Sequence, residues 1–276
     1  MIQSKPINPV FRFSNMPLRA SDRRPFLWLI TSLIILAWLT LWIWDRSPYG
    51  RYLDHGRLGE IGLFNGVASL AAPVLLYLVG WTLMTVAMML PTTLPLLEIF
   101  RRLTGRRQDR SQLLALVITG YLGVWAGFGV AAHLADWVLH EVAERSRWLE
   151  TNAWVIGVGI LLLAGAFQFS RLKYRCLDKC RAPLSFVMEY WRGRHDRQNA
   201  LLLGINHGIF CVGCCWALML LMFGVGVGNI GWMLALGVVM AVEKNMPWGR
   251  KLSAPLGLAL LGWGGFLLLD HYYSAQ

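Results

Sequence analysis

Residues 198–242 decide the fold, because these 45 residues contain no Asp, Glu, Lys or Arg and read QNALLLGINHGIFCVGCCWALMLLMFGVGVGNIGWMLALGVVMAV. A helix needs about 20 apolar residues to cross a bilayer, so the run is too long for one membrane span and fits two. A turn near its middle is indicated by three glycines and an asparagine, Gly224, Gly226, Gly228 and Asn229. The run therefore predicts two membrane-spanning helices, at 200–223 and 227–246.

Five further stretches are apolar enough to span a membrane, at 26–44, 67–97, 112–139, 153–170 and 253–270. Hydrophobic residues make up 56% of the chain and charged residues only 15%, a balance that excludes an ordinary soluble domain. We expect an all-α fold, a polytopic transmembrane helix bundle of about seven spans. It consists of a six-helix core preceded by an N-terminal anchor span. Pro91 and Pro95 predict a kink or a broken end in the second helix.

The distribution of basic residues predicts how the chain is oriented. The expected segments are a cytoplasmic basic tail at 1–25, the anchor span, an external linker at 45–66, the core at 67–270 and an external tail at 271–276. With the N-terminus in the cytoplasm, 21 Lys and Arg residues fall on the inside and 5 on the outside. This asymmetry follows the positive-inside rule and predicts an external C-terminus.

The net charge of +11 can be explained without a nucleic-acid partner. The basic residues lie in short segments between apolar runs, and no basic domain stands apart from the spans. We therefore expect the lipid bilayer, rather than a nucleic acid, to be the partner of these charges.

The candidate metal ligands are concentrated in the second half of the chain. All five cysteines lie between 176 and 215, and Cys176 and Cys180 form a Cys-x3-Cys pair in the cytoplasmic loop expected at 171–199. Helical periodicity places four more candidates within about a third of one helix circumference, namely His207, Cys211, Cys214 and Cys215. Three methionines and one glutamate complete the set: Met88, Met89, Met219 and Glu243.

Thiol, thioether and imidazole groups together favour soft or borderline ions. Copper as Cu(I) is the preferred ion, because a ladder of soft ligands through a span suits its passage. Zinc is second, since Cys176, Cys180, His207 and Cys211 would form a four-coordinate Cys3His set. Simple packing of Cys and Met in a helix bundle is the alternative, as is an ion pair that involves Glu243 and Lys244.

The same segments resemble a family of bacterial integral membrane proteins named DUF2182, described as predicted metal-binding proteins. The resemblance rests on MTVAMMLP at 84–91, on Cys-Leu-x-x-Cys-Arg-x-Pro within 168–183, and on GIFCVGCCWALM at 208–219. Trp232-Met233 and Glu243-Lys244 complete it, and it covers about residues 65–265. It implies metal binding in a bacterial inner membrane and supplies no mechanism.

Three hypotheses follow for the function. The first is a non-enzymatic membrane protein that binds Cu(I) for transport, delivery or homeostasis, with a membrane or metal-delivery protein as partner. The second is a membrane thiol oxidoreductase, although Cys-x3-Cys and adjacent cysteines are not the usual redox spacing. The third is a structural or assembly partner of another membrane metalloprotein.

Overall fold

The computed structural model describes residues 23–46, 67–152, 154–191, 196–225 and 230–274. Every regular element in these ranges is helical, which confirms the all-α prediction. The elements are α1 (Arg23–Asp45), α2 (Val67–Met88), α3 (Leu90–Leu103), α4 (Arg110–Arg145), α5 (Arg147–Thr151), α6 (Trp154–Phe167), α7 (Arg171–Arg181), α8 (Pro183–Tyr190), α9 (Asp196–Val225), α10 (Ile230–Asn245), a 3-10 turn (Gly249–Leu252) and α11 (Ser253–Ser274).

Four helices among the described residues are long and apolar enough to cross a membrane: Phe26–Trp44, Arg110–Ala143, Asp196–Met222 and Gly249–Tyr273. Two bent helix pairs raise the number to six if each pair is one span. The predicted total of seven is therefore not confirmed. The segment predicted at 227–246 forms α10, whose 16 residues measure about 24 Å and fall short of a bilayer core of about 30 Å.

The helix predicted at 67–97 is broken at Met89, where Tyr77–Met88 and Leu90–Leu103 meet at 66°. Pro91 stands in the first turn of α3 and has no N–H to donate to the carbonyl of Ala87. That carbonyl accepts a hydrogen bond from the indole of Trp38 at 3.2 Å instead. The predicted kink is thus confirmed, and a neighbouring helix satisfies the carbonyl that the proline leaves without its usual donor.

The segment 171–199 that joins two predicted spans is largely helical, because α7 and α8 make up most of it, and its cytoplasmic location stays a prediction. The preceding helix ends at Phe167 rather than near residue 170, and α7 leaves it at 64°. Ser170 caps α7 by accepting a hydrogen bond from the Lys173 N–H at 3.1 Å. Pro183 then opens α8, a position that tolerates its missing N–H.

The helices α4 and α9 pack closely at the centre of the bundle. A Cβ atom on Gly204 would collide with the carbonyl of Val117, and one on Gly120 would lie 2.5 Å from the carbonyl of Leu201. Small residues of this kind let helix backbones approach each other in membrane proteins. The contact fixes the position of α9, which carries three of the five cysteines.

Three basic segments meet at one end of the bundle. Arg107, between α3 and α4, lies 2.6 Å from Asp196 at the start of α9, and Arg250 lies 3.4 Å from Asp178 on α7. Arg107 also hydrogen-bonds to Asp109 and thereby lowers the pKa of that carboxyl. Several expected segments lie wholly or partly outside the described residues. They are residues 1–22 of the tail, residues 47–66 of the linker, the turn residues 226–229 and the last two residues of the chain.

Candidate metal centre

The packing of α7 against α9 brings the two groups of cysteines together. Cys176 and Cys180 lie one turn apart on α7. The sulfur of Cys176 faces Gly213 so closely that a Cβ atom there would lie 2.7 Å from it. The side chains of Cys180 on α7 and Cys214 on α9 lie close to each other. All five cysteines are free thiols, so the chain holds no disulfide between them.

Three sulfur atoms surround the ammonium group of Lys244. Its Nζ lies 2.9 Å from Cys211 Sγ, 3.8 Å from Cys215 Sγ and 3.7 Å from Met89 Sδ. The last two sulfurs are 4.0 Å apart. We call Cys211, Cys215 and Met89 the sulfur cluster. All three side chains are buried, with at most 1% of their surface exposed, so the cluster is closed to water.

Hydrogen bonds along α9 orient the thiols of its cysteines. Cys214 and Cys215 both donate to the backbone carbonyl of Cys211, at 3.0 Å and 2.9 Å. These contacts are possible because residues three and four positions apart share one face of a helix. The predicted stripe of three cysteines on α9 therefore does face the interior of the bundle.

Tyr121 of α4 connects the sulfur cluster to His207. Its hydroxyl lies 3.1 Å from Cys211 Sγ and 3.4 Å from the Met89 carbonyl. Its ring stacks on the imidazole of His207, which also makes a T-shaped contact with the ring of Phe186. The Nδ1 atom of His207 has no hydrogen-bond partner among the described residues. The structure thus places His207 beside aromatic rings, next to a cavity of about 10 Å³ that is comparable to one water molecule.

Glu243 belongs to a separate polar group. Lys173 Nζ lies 2.8 Å from each of its carboxylate oxygens, and Ser253 donates to one of them at 2.7 Å. Lys173 also donates to the side chain of Gln168. These contacts favour the ion-pair interpretation of Glu243, with Lys173 rather than the adjacent Lys244 as its partner.

The remaining predicted ligands are buried in the same core as the sulfur cluster. Met88 packs on α10, where a Cβ atom at Gly237 would lie 3.6 Å from its side chain. Met219 lies on α9 with none of its surface exposed. Neither contact shows a metal-binding role, and for both residues that role stays a prediction.

The described residues contain no group of three or more Cys, His, Asp or Glu side chains that could hold a metal ion. The four-coordinate set proposed for zinc is therefore not assembled in this conformation. Two thiols and a thioether form a smaller and softer set, which suits Cu(I) better than zinc.

Three residues of this region were not predicted from the sequence as parts of the site. They are Lys173, Tyr121 and Lys244, the last as a neighbour of the cysteines. One signal existed for Lys173, which precedes Cys176 by three residues and so shares its helix face. Nothing in the local sequence indicates that Tyr121, on α4, meets a cysteine 90 residues further along the chain.

A family model described as PpoB2, copper chaperone, matches residues 78–267. The matched region includes all five cysteines, Met89 and Lys244. It overlaps the segment that resembles DUF2182, although the two families carry different names, so that resemblance is supported only loosely. No curated protein and no solved structure shows significant similarity to the chain.

Proposed function

Because the chain belongs to the PpoB2 family of copper chaperones, we propose that it binds Cu(I) within a membrane and delivers it to a partner protein. The observation that carries this proposal is the sulfur cluster, in which two thiols and a thioether lie around one point in a dry interior. Soft sulfur ligands favour Cu(I), and exclusion of water protects the reduced ion. In this proposal copper is the cargo of the protein.

The five cysteines offer a route for the ion from the surface to the cluster. Cys180 is half-buried, whereas the other four thiols are almost fully enclosed. It lies close to Cys214 on α9, where Cys211 and Cys215 follow within one turn. We infer that Cys180, with Cys176 beside it, exchanges copper with a donor or acceptor and that the buried thiols hold it.

The membrane setting is part of the proposal. Four to six apolar spans fit a multi-pass protein, and the basic segments at one end of the bundle fit the cytoplasmic side of a bacterial inner membrane. The carboxyl end of α10, which carries Lys244, lies at that same end. Reporter fusions at Gly105 and at the C-terminus test the orientation, with cytoplasmic and external signals expected respectively.

The decisive experiment is copper binding by the protein purified in detergent under reducing conditions. The wild type should retain about one Cu(I) per chain, and a Cys211→Ser, Cys215→Ser double variant should lose it. Met89→Leu should weaken binding, whereas Met188→Leu, on an exposed surface of α8, is the matched control and should not. Full copper content in the double variant would contradict the proposal.

One observation favours a second candidate, a membrane thiol oxidoreductase. Cys180 lies close to Cys214, and Cys211 and Cys214 have the spacing of a Cys-x-x-Cys redox pair. A Cys214→Ser variant would then trap a mixed disulfide between the protein and its redox partner. A copper chaperone that transfers the ion by exchange of sulfur ligands forms no such covalent product.

A further inference from the structure

Lys244 is a buried cation without a carboxylate partner among the described residues. Its side chain is enclosed, with 5% of the residue surface exposed, and its neighbours are the sulfur cluster and the hydroxyl of Thr92 at 3.5 Å. The other buried lysine, Lys173, is compensated by Glu243. A buried ammonium is unfavourable unless a negative group lies near it. The groups beside Lys244 that can supply a compensating negative charge are therefore the thiols of the sulfur cluster.

The charge of a bound metal complex decides which ion suits this buried ammonium. Each thiol that binds a metal loses its proton, so Cys211 and Cys215 together contribute two negative charges. With Cu(I) the resulting complex carries one negative charge, which the ammonium of Lys244 cancels. With Zn(II) and the same two thiolates the complex is neutral, and the charge of Lys244 stays uncompensated in the interior.

We infer that Lys244 determines the ion specificity of the sulfur cluster, so that the site accepts one monovalent soft cation between two thiolates and disfavours divalent ions. The inference rests on the proposed function and adds the residue that selects the cargo. On binding, two S–H bonds are replaced by two copper–sulfur bonds, both protons leave to water, and copper stays in the Cu(I) state.

The geometry allows Lys244 to serve both the empty and the loaded site. Its Nζ lies within 3.8 Å of all three sulfurs, so the ammonium holds the space between them when no metal is bound. The flexible four-carbon stem lets the group move aside and donate hydrogen bonds to metal-bound sulfur. Neither Lys173 nor Arg181 can replace it, since the first pairs with Glu243 and the second binds the carbonyls of Glu243 and Pro247.

The test compares Lys244→Leu, which removes the charge and adds no ligand, with Lys244→Arg, which keeps it. Affinities for Cu(I) and for Zn(II) are measured in detergent by competition with a chromophoric chelator of each ion. We expect Lys244→Leu to lower the Cu(I) affinity by about tenfold or more without lowering that for Zn(II). Lys244→Arg should keep the ratio of the two affinities close to that of the wild type.

Each outcome has a definite meaning. A parallel loss of both ions in Lys244→Leu, or an unchanged ratio, overturns the inference, since a merely structural lysine would give these results. If Lys244→Leu does not fold, as judged by size-exclusion chromatography, Lys244→Gln replaces it in the same comparison. A wild type that binds no Cu(I) overturns the proposed function itself, which separates the two failures.

Discussion

Glu243 and Lys173 form a buried ion pair in which the ammonium lies 2.8 Å from both carboxylate oxygens, although the residues are 70 positions apart in sequence. The pair joins α10 to α7, the helix that carries Cys176 and Cys180. It therefore fixes the position of the outer cysteines relative to Lys244, the next residue after Glu243. Ser253 extends the same connection to α11.

Replacing Glu243 with Gln should destabilise the protein by about 3–5 kcal/mol, because Lys173 would stay buried without its counter-charge. The measurement is denaturant unfolding in detergent, followed by the fluorescence of the tryptophans. The double variant Lys173→Met, Glu243→Leu should be less destabilised than Glu243→Gln, since no uncompensated charge is left. Equal stability of Glu243→Gln and wild type would refute the structural role.

A side chain at Gly213 should be strained, because the sulfur of Cys176 lies 2.7 Å from the position that its Cβ atom would take. We expect Gly213→Ala to push α7 away from α9, to cost about 1–3 kcal/mol and to lower copper uptake. Gly123→Ala is the control, since nothing lies within 4 Å of its Cβ position. Unfolding curves and copper content of both variants check the prediction, which fails if the two alanines behave alike.

The sequence was sufficient for the fold class and for the stripe of cysteines on α9. Both depend on local patterns, namely a long uncharged run and a helical period of about 3.6 residues. The kink at Met89 was also predictable, because proline removes a backbone donor wherever it stands in a helix. The number of spans was not, because apolar length alone does not show where α6 ends or how short α10 is.

The interior of the candidate site depended on contacts between distant segments. An ion pair between Glu243 and Lys244 was the alternative to a metal-binding role for Glu243, yet the two side chains point to different neighbours, Lys173 and Cys211. The side chains of adjacent residues point about 100° apart around the helix axis, so they meet different neighbours more readily than each other. Which helix faces each of them is a property of the whole bundle, and a single sequence carries no direct record of it.

The hydroxyl of Tyr121 should strengthen copper binding. When Cys211 is bound as a thiolate, the hydroxyl at 3.1 Å can only donate to it, and a hydrogen bond to a charged group is worth about 1.5–3 kcal/mol. Tyr121→Phe should lower the Cu(I) affinity by about tenfold and keep the fold, because the ring still stacks on His207. Chelator competition measures the change.

The matched control is Tyr77→Phe. The hydroxyl of Tyr77 is also buried and donates to the Gly129 carbonyl at 2.9 Å, away from the cysteines. Its loss should lower the stability without changing the Cu(I) affinity. If both variants reduce the affinity equally, the effect of Tyr121 is structural and its contact with Cys211 is not used in binding.

Cys180 should be the first cysteine to react with a hydrophilic maleimide, because it is the only half-buried thiol among the five. At most 1% of the surface of Cys211, Cys214 and Cys215 is exposed, so these thiols react only when the bundle opens. Peptide mass spectrometry should find one label per chain at early times, at Cys180, and none in a Cys180→Ser variant. Bound Cu(I) should slow the labelling if Cys180 belongs to the copper route. Equally fast labelling of Cys211 or Cys215 would show that copper can reach the buried thiols without passing Cys180.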